Sequence, residues 1–143
     1  MRGDLPAGRQ AAARQIADLE TVLKALADRT RLRIVGLLLN GEICVCHIHE
    51  SLGIPQPKAS RHLAYLRRSG LALARKEGLW VHYRLATLEN PVLQSVLDAV
   101  GHALGHLPSS ERDLTRLASR VPVQPTRTLP VIGSCCAPSP GTR

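Results

Sequence analysis

The first half of the chain carries apolar side chains at the spacing of amphipathic helices. From Gln10 to Ala27 they recur at three- and four-residue steps, which predicts a first helix with one apolar face. A second apolar run follows in DRTRLRIVGLLLNG. Asp28 or Thr30 can cap the start of this second helix, and the pair Asn40-Gly41 can end it.

Two shorter helices are predicted next, separated by a tight turn. CVCHIHESLGI keeps helical spacing up to Gly53, which ends the third helix. A fourth helix begins shortly afterwards in QPKASRHLAYLRRSG, with Pro57 tolerated in its first turn and Gly70 as its stop. Two short helices joined by a tight turn that contains glycine form a helix-turn-helix.

The apolar period changes from helical to alternating after Gly70. LALARKEGLWVHYRL alternates around KEG, as the two strands of a hairpin require. A hairpin that follows a helix-turn-helix is a wing, and we expect Arg75 and Lys76 at its tip. The apolar positions of the two arms are Leu71, Leu73, Leu79, Val81, Tyr83 and Leu85.

A long apolar stripe marks a fifth helix from Asn90, with Pro91 in its first position. A small core has little surface left to cover this stripe. We therefore predict that it forms the interface of a homodimer together with part of the first helix; burial within one subunit is the alternative. Asp98, His102 and His106 share one face, which we interpret as a polar edge of that interface rather than a zinc site. The stripe consists of Val92, Leu93, Val96, Leu97, Val100 and Leu104.

These elements predict one domain of mainly α class with a small β-hairpin, in the order α-α-α-α-β-β-α of a homodimeric winged helix-turn-helix. We place this domain at residues 10–106, after a flexible N-terminus at 1–9. Residues 107–143 are rich in Pro, Ser and Thr, which predicts a largely disordered tail that carries a vicinal cysteine pair. Ser110 with Asp113 could cap one short helix in this tail.

Charge narrows the class of partner. Nineteen Lys and Arg against eleven Asp and Glu give a formal charge of +8 and a pI near 10.2. In that range a polyanion such as nucleic acid is the leading partner, and solubility alone is the other explanation. No run approaches the roughly 20 apolar residues of a membrane span and no secretion signal is visible, so we expect a cytoplasmic protein without membrane contact. No arrangement of nucleophile, base and orienting group suggests an enzyme.

Four segments in this order and at these spacings resemble the ArsR/SmtB family of winged-helix repressors: ADRTRLRIVGLLL, EICVC, QPKASRHLAYLRRSGL and RKEGLWVHYRL. The likeness covers about residues 18 to 106 and is greatest to the arsenic-responsive branch, whose Glu-Leu-Cys-Val-Cys signature is matched by Glu42 to Cys46. The resemblance implies a homodimer that binds double-stranded operator DNA, represses a resistance operon and leaves the DNA when its ligand binds.

Cys44 and Cys46 are the candidate ligands of the inducer, As(III) or Sb(III). Cysteines in a reducing compartment argue for metal or redox chemistry rather than structural disulfides. On an intact helix, positions two apart are separated by about 200° of rotation, so both thiols could not hold one atom. Because Cys44 falls at the helix N-cap, its backbone can leave helical geometry. We therefore expect a ligand held by both thiolates to distort the first turn of the third helix.

The sequence leaves open which residue is the third ligand of the As(III) or Sb(III) ion. The arsenic pattern of the family has a further cysteine where this chain has His49. As(III) prefers sulfur, so Cys135 and Cys136 of the tail are candidates, and the tail is long enough to reach the helix thiols. His49 is the alternative ligand for a borderline ion, which would indicate a sensor of cadmium, lead or zinc. A further alternative is a redox switch in which the cysteines are oxidised.

The DNA contacts are assigned to the fourth helix and the wing. The first turns of the fourth helix should enter the major groove, where Gln56 can read adenine and Arg61 can contact guanine or phosphate. Arg75 and Lys76 of the wing should reach the DNA backbone or the minor groove. A solvated charged face is the alternative. The remaining candidate contacts on the fourth helix are Lys58, Ser60 and His62.

Overall fold

The computed structural model describes residues 7–120, which confirm the mainly α class and the winged helix-turn-helix order. The N-terminus at 1–6 and the C-terminal segment at 121–143, which contains Cys135 and Cys136, lie outside the described residues. No helix within 7–120 is long and apolar enough to cross a membrane. The elements are α1 Ala7–Leu26, α2 Arg29–Leu38, β1 Ile43–Cys44, α3 Val45–Leu52, α4 Gln56–Arg68, β2 Ala72–Glu77, β3 Trp80–Leu85, α5 Pro91–Gly105 and α6 Pro108–Ala118.

The helix ends follow the predicted capping residues. The Asp28 carboxylate accepts a hydrogen bond from the Arg31 N–H at 2.9 Å and caps α2. Gly53 ends α3 with φ 66°, a left-handed conformation that an L side chain adopts only with strain. Because Gly53 is followed directly by Ile54 and Pro55, the turn to α4 is short, and the predicted helix-turn-helix of α3 and α4 is confirmed.

The core is aliphatic, as the absence of Phe requires. It lies where α2, α3 and α4 meet the sheet. Tyr65 and Tyr83 lie only at its margin. Its largest fully buried apolar side chains are Ile34, Val35, Leu37, Ile43, Ile48, Leu63, Leu66 and Leu71.

The sheet has three strands where the sequence predicted two. Its order is β1-β3-β2, and both pairings are antiparallel. The strand that the sequence analysis missed is β1, in which Ile43 pairs with Tyr83 and Cys44 with His82. Two residues are too short to give an alternating pattern, so β1 left no local signal.

The tip of the wing lies beyond the predicted position. Glu77 pairs with Trp80, so the turn is formed by Gly78, with φ 59°, and Leu79. A two-residue turn with glycine first is typical of a hairpin. Arg75 and Lys76 therefore lie within β2 rather than at the tip, and Leu79 is 91% exposed instead of packing on an arm.

The folded unit extends past residue 106, where the sequence analysis placed its end. α6 packs on α2 and α3. Its N-cap is Leu107, so the suggested cap by Ser110 and Asp113 is wrong; both of these side chains are buried. The Asp113 carboxylate accepts two hydrogen bonds from Arg33 of α2, at 2.8 and 2.7 Å. This ion pair fixes α6 to the domain.

The apolar stripe of α5 is divided between the core and the surface. Leu97 and Leu104 are buried within the subunit, whereas Val92 is 57% exposed. α1 likewise exposes Ile16 at 68% and Leu23 at 49%. α1 contacts α5, so one subunit leaves apolar surface uncovered on two helices that touch.

Candidate metal centre and nucleic-acid interface

The two thiols of the signature lie side by side at the start of α3. The Sγ atoms of Cys44 and Cys46, which we call the thiol pair, are 3.0 Å apart. Cys44 is the N-cap, as predicted, and its extended backbone (φ −67°, ψ 143°) turns its side chain towards the first helical turn. Two metal–sulfur bonds of about 2.3 Å hold their sulfurs roughly 3.3 to 3.8 Å apart. The two sulfurs are therefore already adjacent, and the expectation that a shared ligand distorts the first turn stays a prediction.

The two sulfurs of the thiol pair lie at the N-terminus of α3, which no side chain caps. Cys44 is fully buried, whereas Cys46 is partly exposed. A ligand would therefore reach the pair from the side of Cys46.

His49 is not brought to the thiol pair. Its Nδ1 lies 3.2 Å from the carbonyl oxygen of Ile54, in the turn of the helix-turn-helix. Within residues 7–120, no group of three His, Cys, Asp or Glu side chains is arranged to hold a metal ion. The described residues thus bring together two candidate sulfur ligands, and the alternative role of His49 gains no support from its position.

Two buried histidines lie next to the thiol pair, and the sequence analysis assigned a role to neither. His47 follows Cys46 in α3, and His82 pairs with Cys44 across the sheet. Among the described residues, neither ring nitrogen of either histidine has a hydrogen-bond partner. Burial lowers the pKa of His47, against a smaller opposing effect of Glu50, so His47 is held neutral. The sequence signal that could have identified His47 as buried is its four-residue spacing from Ser51, which places both residues on the buried face of α3.

The signature is tied to the wing by an ion pair as well as by β1. The Arg75 guanidinium donates to Glu42 at 3.0 Å and to Glu77 at 3.0 Å. These hydrogen bonds raise the pKa of Arg75 above its ordinary value. Because both carboxylates already neutralise Arg75, its assignment as a DNA contact is weakened. Lys76 has no ion pair within the described part of the chain.

Most of the predicted DNA-contacting side chains of α4 lie on its open face. Gln56, Lys58 and Arg61 are exposed, and Ser60 is partly buried. His62 differs, because its Nδ1 lies 3.6 Å from the carboxylate of Asp28 and its side chain packs towards the start of α2. The structure therefore favours a packing role for His62 over a contact with DNA.

Arg31 connects the first helix to α4, a role that the sequence did not indicate. Its Nε donates to the carbonyl oxygen of Ala25 at 2.6 Å, near the end of α1. Its guanidinium lies 4.1 Å from the ring centroid of Tyr65 in α4. A single side chain thus holds α1, which carries exposed apolar residues, against the helix that presents the basic face.

The polar residues of α5 and its C-cap contact one another and neighbouring side chains. Asp98 accepts a hydrogen bond from Gln94 at 2.8 Å, and the rings of His102 and His106 meet edge to face with centroids 4.8 Å apart. These contacts fit the interpretation as a polar margin beside the apolar stripe.

Comparisons of sequence place the chain among bacterial regulators. Residues 28–72 match the family described as bacterial regulatory protein, arsR family. Over 66 residues, 46% of this chain and 56% of the relative, the chain is 61% identical to the arsenical resistance operon repressor of Escherichia coli K12. Over 73 residues, 50% of this chain and 57% of the relative, it is 48% identical to the arsenic resistance transcriptional regulator ArsR1 of Pseudomonas putida. The chain thus spans little more than half the length of these curated relatives.

Solved structures give the same assignment over most of their length. HlyU from Vibrio cholerae superposes with a TM-score of 0.56 at 32% identity, over 62% of this chain and 94% of HlyU. The homodimeric winged helix-turn-helix DNA-binding domain of a possible ArsR-family regulator from Mycobacterium bovis gives 0.57 at 32% identity, over 73% and 91%. The relatives are regulators, which confirms the prediction that the chain is not an enzyme. The chain belongs to the ArsR family of winged helix-turn-helix regulatory proteins.

Proposed function

We propose that this protein is a transcriptional repressor that binds operator DNA as a homodimer and is released when As(III) or Sb(III) binds the Cys44 and Cys46 thiolates. The observation that carries this proposal is the 3.0 Å separation of the two sulfurs at the start of α3. Soft thiolates select thiophilic ions, and the names of the curated relatives support arsenic as the inducer.

Three connections support transmission from the thiol pair to the DNA-binding elements. Cys44 pairs with His82 of the wing through β1. Glu42 holds Arg75 of β2. α3 continues through a three-residue turn into α4. A ligand that draws the two sulfurs to its own bond lengths moves the end of β1, and with it the wing, relative to α4. Release requires that the ligand bind this shifted arrangement more tightly than the DNA-bound one.

The proposed coordination shell is completed by sulfur from the C-terminal segment. As(III) gains more from a third thiolate than from imidazole, which favours Cys135 or Cys136 over His49. His49 would be preferred only for a borderline ion such as Zn²⁺, for which imidazole is an ordinary ligand.

The proposed DNA interface combines base reading by α4 with phosphate contacts from the wing. Gln56 and Arg61 are exposed at the open face of α4, where a major groove can receive them. Lys76 is a wing cation that has no ion pair among residues 7–120. The formal charge of +8 supports a nucleic-acid partner, and a soluble regulator of DNA would act in the cytoplasm.

A release assay tests the proposal. Fluorescence anisotropy of the protein's own promoter DNA would be followed during titration with arsenite, antimonite, methylarsenite, cadmium, lead, zinc and peroxide. Release by arsenite and antimonite at concentrations that leave the zinc sample bound is the expected result. No release by either trivalent species would overturn the assignment.

A second candidate is a thiol redox switch, which the same sulfur separation favours. Two sulfurs at 3.0 Å need little movement to form a bond when an oxidant removes two electrons and both thiol protons. Release by peroxide, reversed by dithiothreitol and unaffected by arsenite, would identify that function. Release by cadmium, lead or zinc alone would instead identify a divalent-metal sensor of the same fold.

A further inference from the structure

We propose that a basic cavity between α2 and α4 binds a backbone phosphate of the operator DNA, beside the major groove that receives α4. This inference rests on the proposed function, because it concerns the DNA that the repressor binds. It adds Arg31 and Arg68, to which the sequence analysis assigned no contact with DNA. The cavity, which we call the phosphate cavity, is lined by Arg31 of α2 and by Lys58, Arg61, His62, Tyr65 and Arg68 of α4.

Positive charge is concentrated in the phosphate cavity. Its volume is about 460 Å³, and three arginines and one lysine line it, with no carboxylate from the described residues among them. The Asp28 carboxylate contacts two of the lining side chains, at 3.9 Å from Nη1 of Arg31 and 3.6 Å from Nδ1 of His62. One carboxylate against four permanent cations leaves a positive potential in the cavity. A bound anion would offset the mutual repulsion of these cations.

Arg31 is held in place before any anion binds. Its Nε donates to the carbonyl oxygen of Ala25 at 2.6 Å, and its Nη2 donates to the carbonyl oxygen of Lys24 at 3.1 Å. Its side chain is only 13% exposed. Nη1 makes no hydrogen bond to another described residue, which leaves it as the nitrogen that can donate to an anion. A guanidinium that is already ordered loses little conformational entropy when it takes a ligand.

Arg68 supplies an exposed cation on the other side of Arg31's stacking partner in the sequence of α4. The Arg68 guanidinium lies 6.0 Å from the ring centroid of Tyr65, the ring that Arg31 approaches to 4.1 Å. A smaller cavity of about 140 Å³ adjoins the first at Tyr65 and Arg68 and reaches Thr21 of α1. The basic surface is therefore a groove along α4 that α1 and α2 border. Guanidinium groups bind phosphate oxygens through paired hydrogen bonds, so a phosphodiester suits these donors.

The place of the phosphate cavity on α4 suits the DNA backbone rather than the bases. Its lining residues follow at three- and four-residue spacing from Lys58 to Arg68, so they form one stripe about 15 Å long. A helix with its side chains is about 10 to 12 Å wide and the major groove about 12 Å, so the flanks of a helix in the groove face phosphates. The stripe lies on the flank towards α2. Gln56, which is proposed to read bases, does not line the cavity.

Neutralising single phosphates tests this site. Operator duplexes that carry one methylphosphonate linkage at a time are titrated by fluorescence anisotropy with the unaltered protein, Arg68→Gln and Arg67→Gln. Arg67→Gln is the matched control, because Arg67 is also exposed on α4 but does not line the cavity. Burial raises the pKa of Tyr83 in the wing against a smaller opposing effect of Arg67, which places Arg67 on the side of the wing. Circular dichroism checks that both variants are folded.

Arg68→Gln should lose the sensitivity to one particular phosphate. We expect a methylphosphonate at one linkage of each half-site to weaken binding by the unaltered protein and by Arg67→Gln about threefold or more, with no effect on Arg68→Gln at that linkage. The slope of log affinity against log salt should fall in Arg68→Gln by about 0.9 for each subunit bound. Arg68→Lys keeps the positive charge and should keep most of this slope.

Two results would contradict the phosphate cavity. Identical methylphosphonate profiles for Arg68→Gln and Arg67→Gln would overturn it, and inorganic phosphate that binds the DNA-free protein but not Arg68→Gln would then assign the cavity to a free anion. A change of base preference in Arg68→Gln would assign Arg68 to the bases. Both results leave the proposed function in place as long as arsenite releases the operator from the unaltered protein, whereas an unaltered protein that does not bind the operator overturns both proposals.

Discussion

Cys44 combines two structural roles with its proposed chemical one, because it ends β1 and caps α3. Serine preserves both roles, since its hydroxyl is among the preferred N-cap groups, but it lacks the soft sulfur. We expect Cys44→Ser or Cys46→Ser to keep operator affinity within about twofold and to abolish release by arsenite. Fluorescence anisotropy with and without arsenite measures both quantities on one sample.

His49→Ala is the matched control for this substitution. In the unaltered protein the imidazole of His49 faces the carbonyl oxygen of Ile54 rather than the thiol pair, so arsenite should still release the DNA from the His49→Ala variant. An arsenite response that disappears in His49→Ala, or that survives in both cysteine variants, would remove the thiol pair from the centre of the mechanism.

The cations of the wing are expected to act unequally on DNA. Arg75 is paired with two carboxylates, whereas Lys76 has no ion pair among the described residues. Lys76→Ala should weaken binding to all sequences and reduce the slope of log affinity against log salt by about 1, with little change for Arg75→Gln. Titrations of operator and unrelated DNA at several salt concentrations measure this. An equal loss of slope in both variants would restore Arg75 as a phosphate contact.

Substitutions on α4, in contrast to those on the wing, should change the base preference of binding. Gln56→Ala or Arg61→Ala removes an exposed side chain that can contact base edges, and each should cost about 1 to 3 kcal/mol of operator affinity while relaxing base preference. Competition between the operator and single-base variants measures the preference. Uniform weakening on every sequence would reassign these two residues to the DNA backbone.

At the scale of elements, the local sequence pattern was enough to predict those helices that end at a glycine. α2, α3 and α4 were predictable because their apolar spacing is interrupted by Gly41, Gly53 and Gly70, each of which has a positive φ. β1 was not predictable, because a two-residue strand exists only through its pairing with β3. The sequence placed Cys44 at the N-cap and so outside the helix rule, but the 3.0 Å separation of the two sulfurs depends on side-chain positions that the sequence pattern does not specify.

α6 is an element that only long-range contacts explain. The sequence around Asp113 predicts a solvent-exposed or capping residue, although the side chain is buried. Its partner Arg33 lies 80 positions earlier in the chain. Asp113→Ala leaves the guanidinium without its carboxylate. Because Arg33 is partly exposed, we expect a loss of about 2 to 3 kcal/mol in the free energy of unfolding, at or below the lower end for buried pairs. Urea unfolding followed by circular dichroism measures it.

Glu111→Ala serves as the control for Asp113→Ala, since it lies on the same helix with an exposed side chain. It should change the free energy of unfolding by less than about 0.5 kcal/mol. Equal effects of the two substitutions would mean that the Arg33–Asp113 pair does not hold α6 to the domain.

At the scale of the whole molecule, the described subunit leaves apolar surface that a second copy would cover. Ile16 and Leu23 of α1 are exposed, as is Val92 of α5, and α1 contacts α5. Arg31 joins the end of α1 to Tyr65 of α4, so the position of α1 is linked to that of α4. Leu97 and Leu104 of the α5 stripe turn inward, as the alternative of burial within one subunit expects, and the interface role of the exposed part stays a prediction.

Breaking this apolar surface should therefore separate the subunits and weaken DNA binding together. Leu23→Asp with Val92→Asp places two charges where a second copy would exclude water, and we expect a monomer at micromolar concentration in sedimentation velocity, whereas the unaltered chain sediments as a dimer. Operator affinity should fall at least tenfold, because two half-sites about one helical turn apart are no longer bound by one particle. Leu79→Asp is the matched control, since Leu79 is 91% exposed but lies at the tip of the wing, and it should remain dimeric. A double variant that sediments as a dimer with a folded circular dichroism spectrum would place the interface on another face of the molecule.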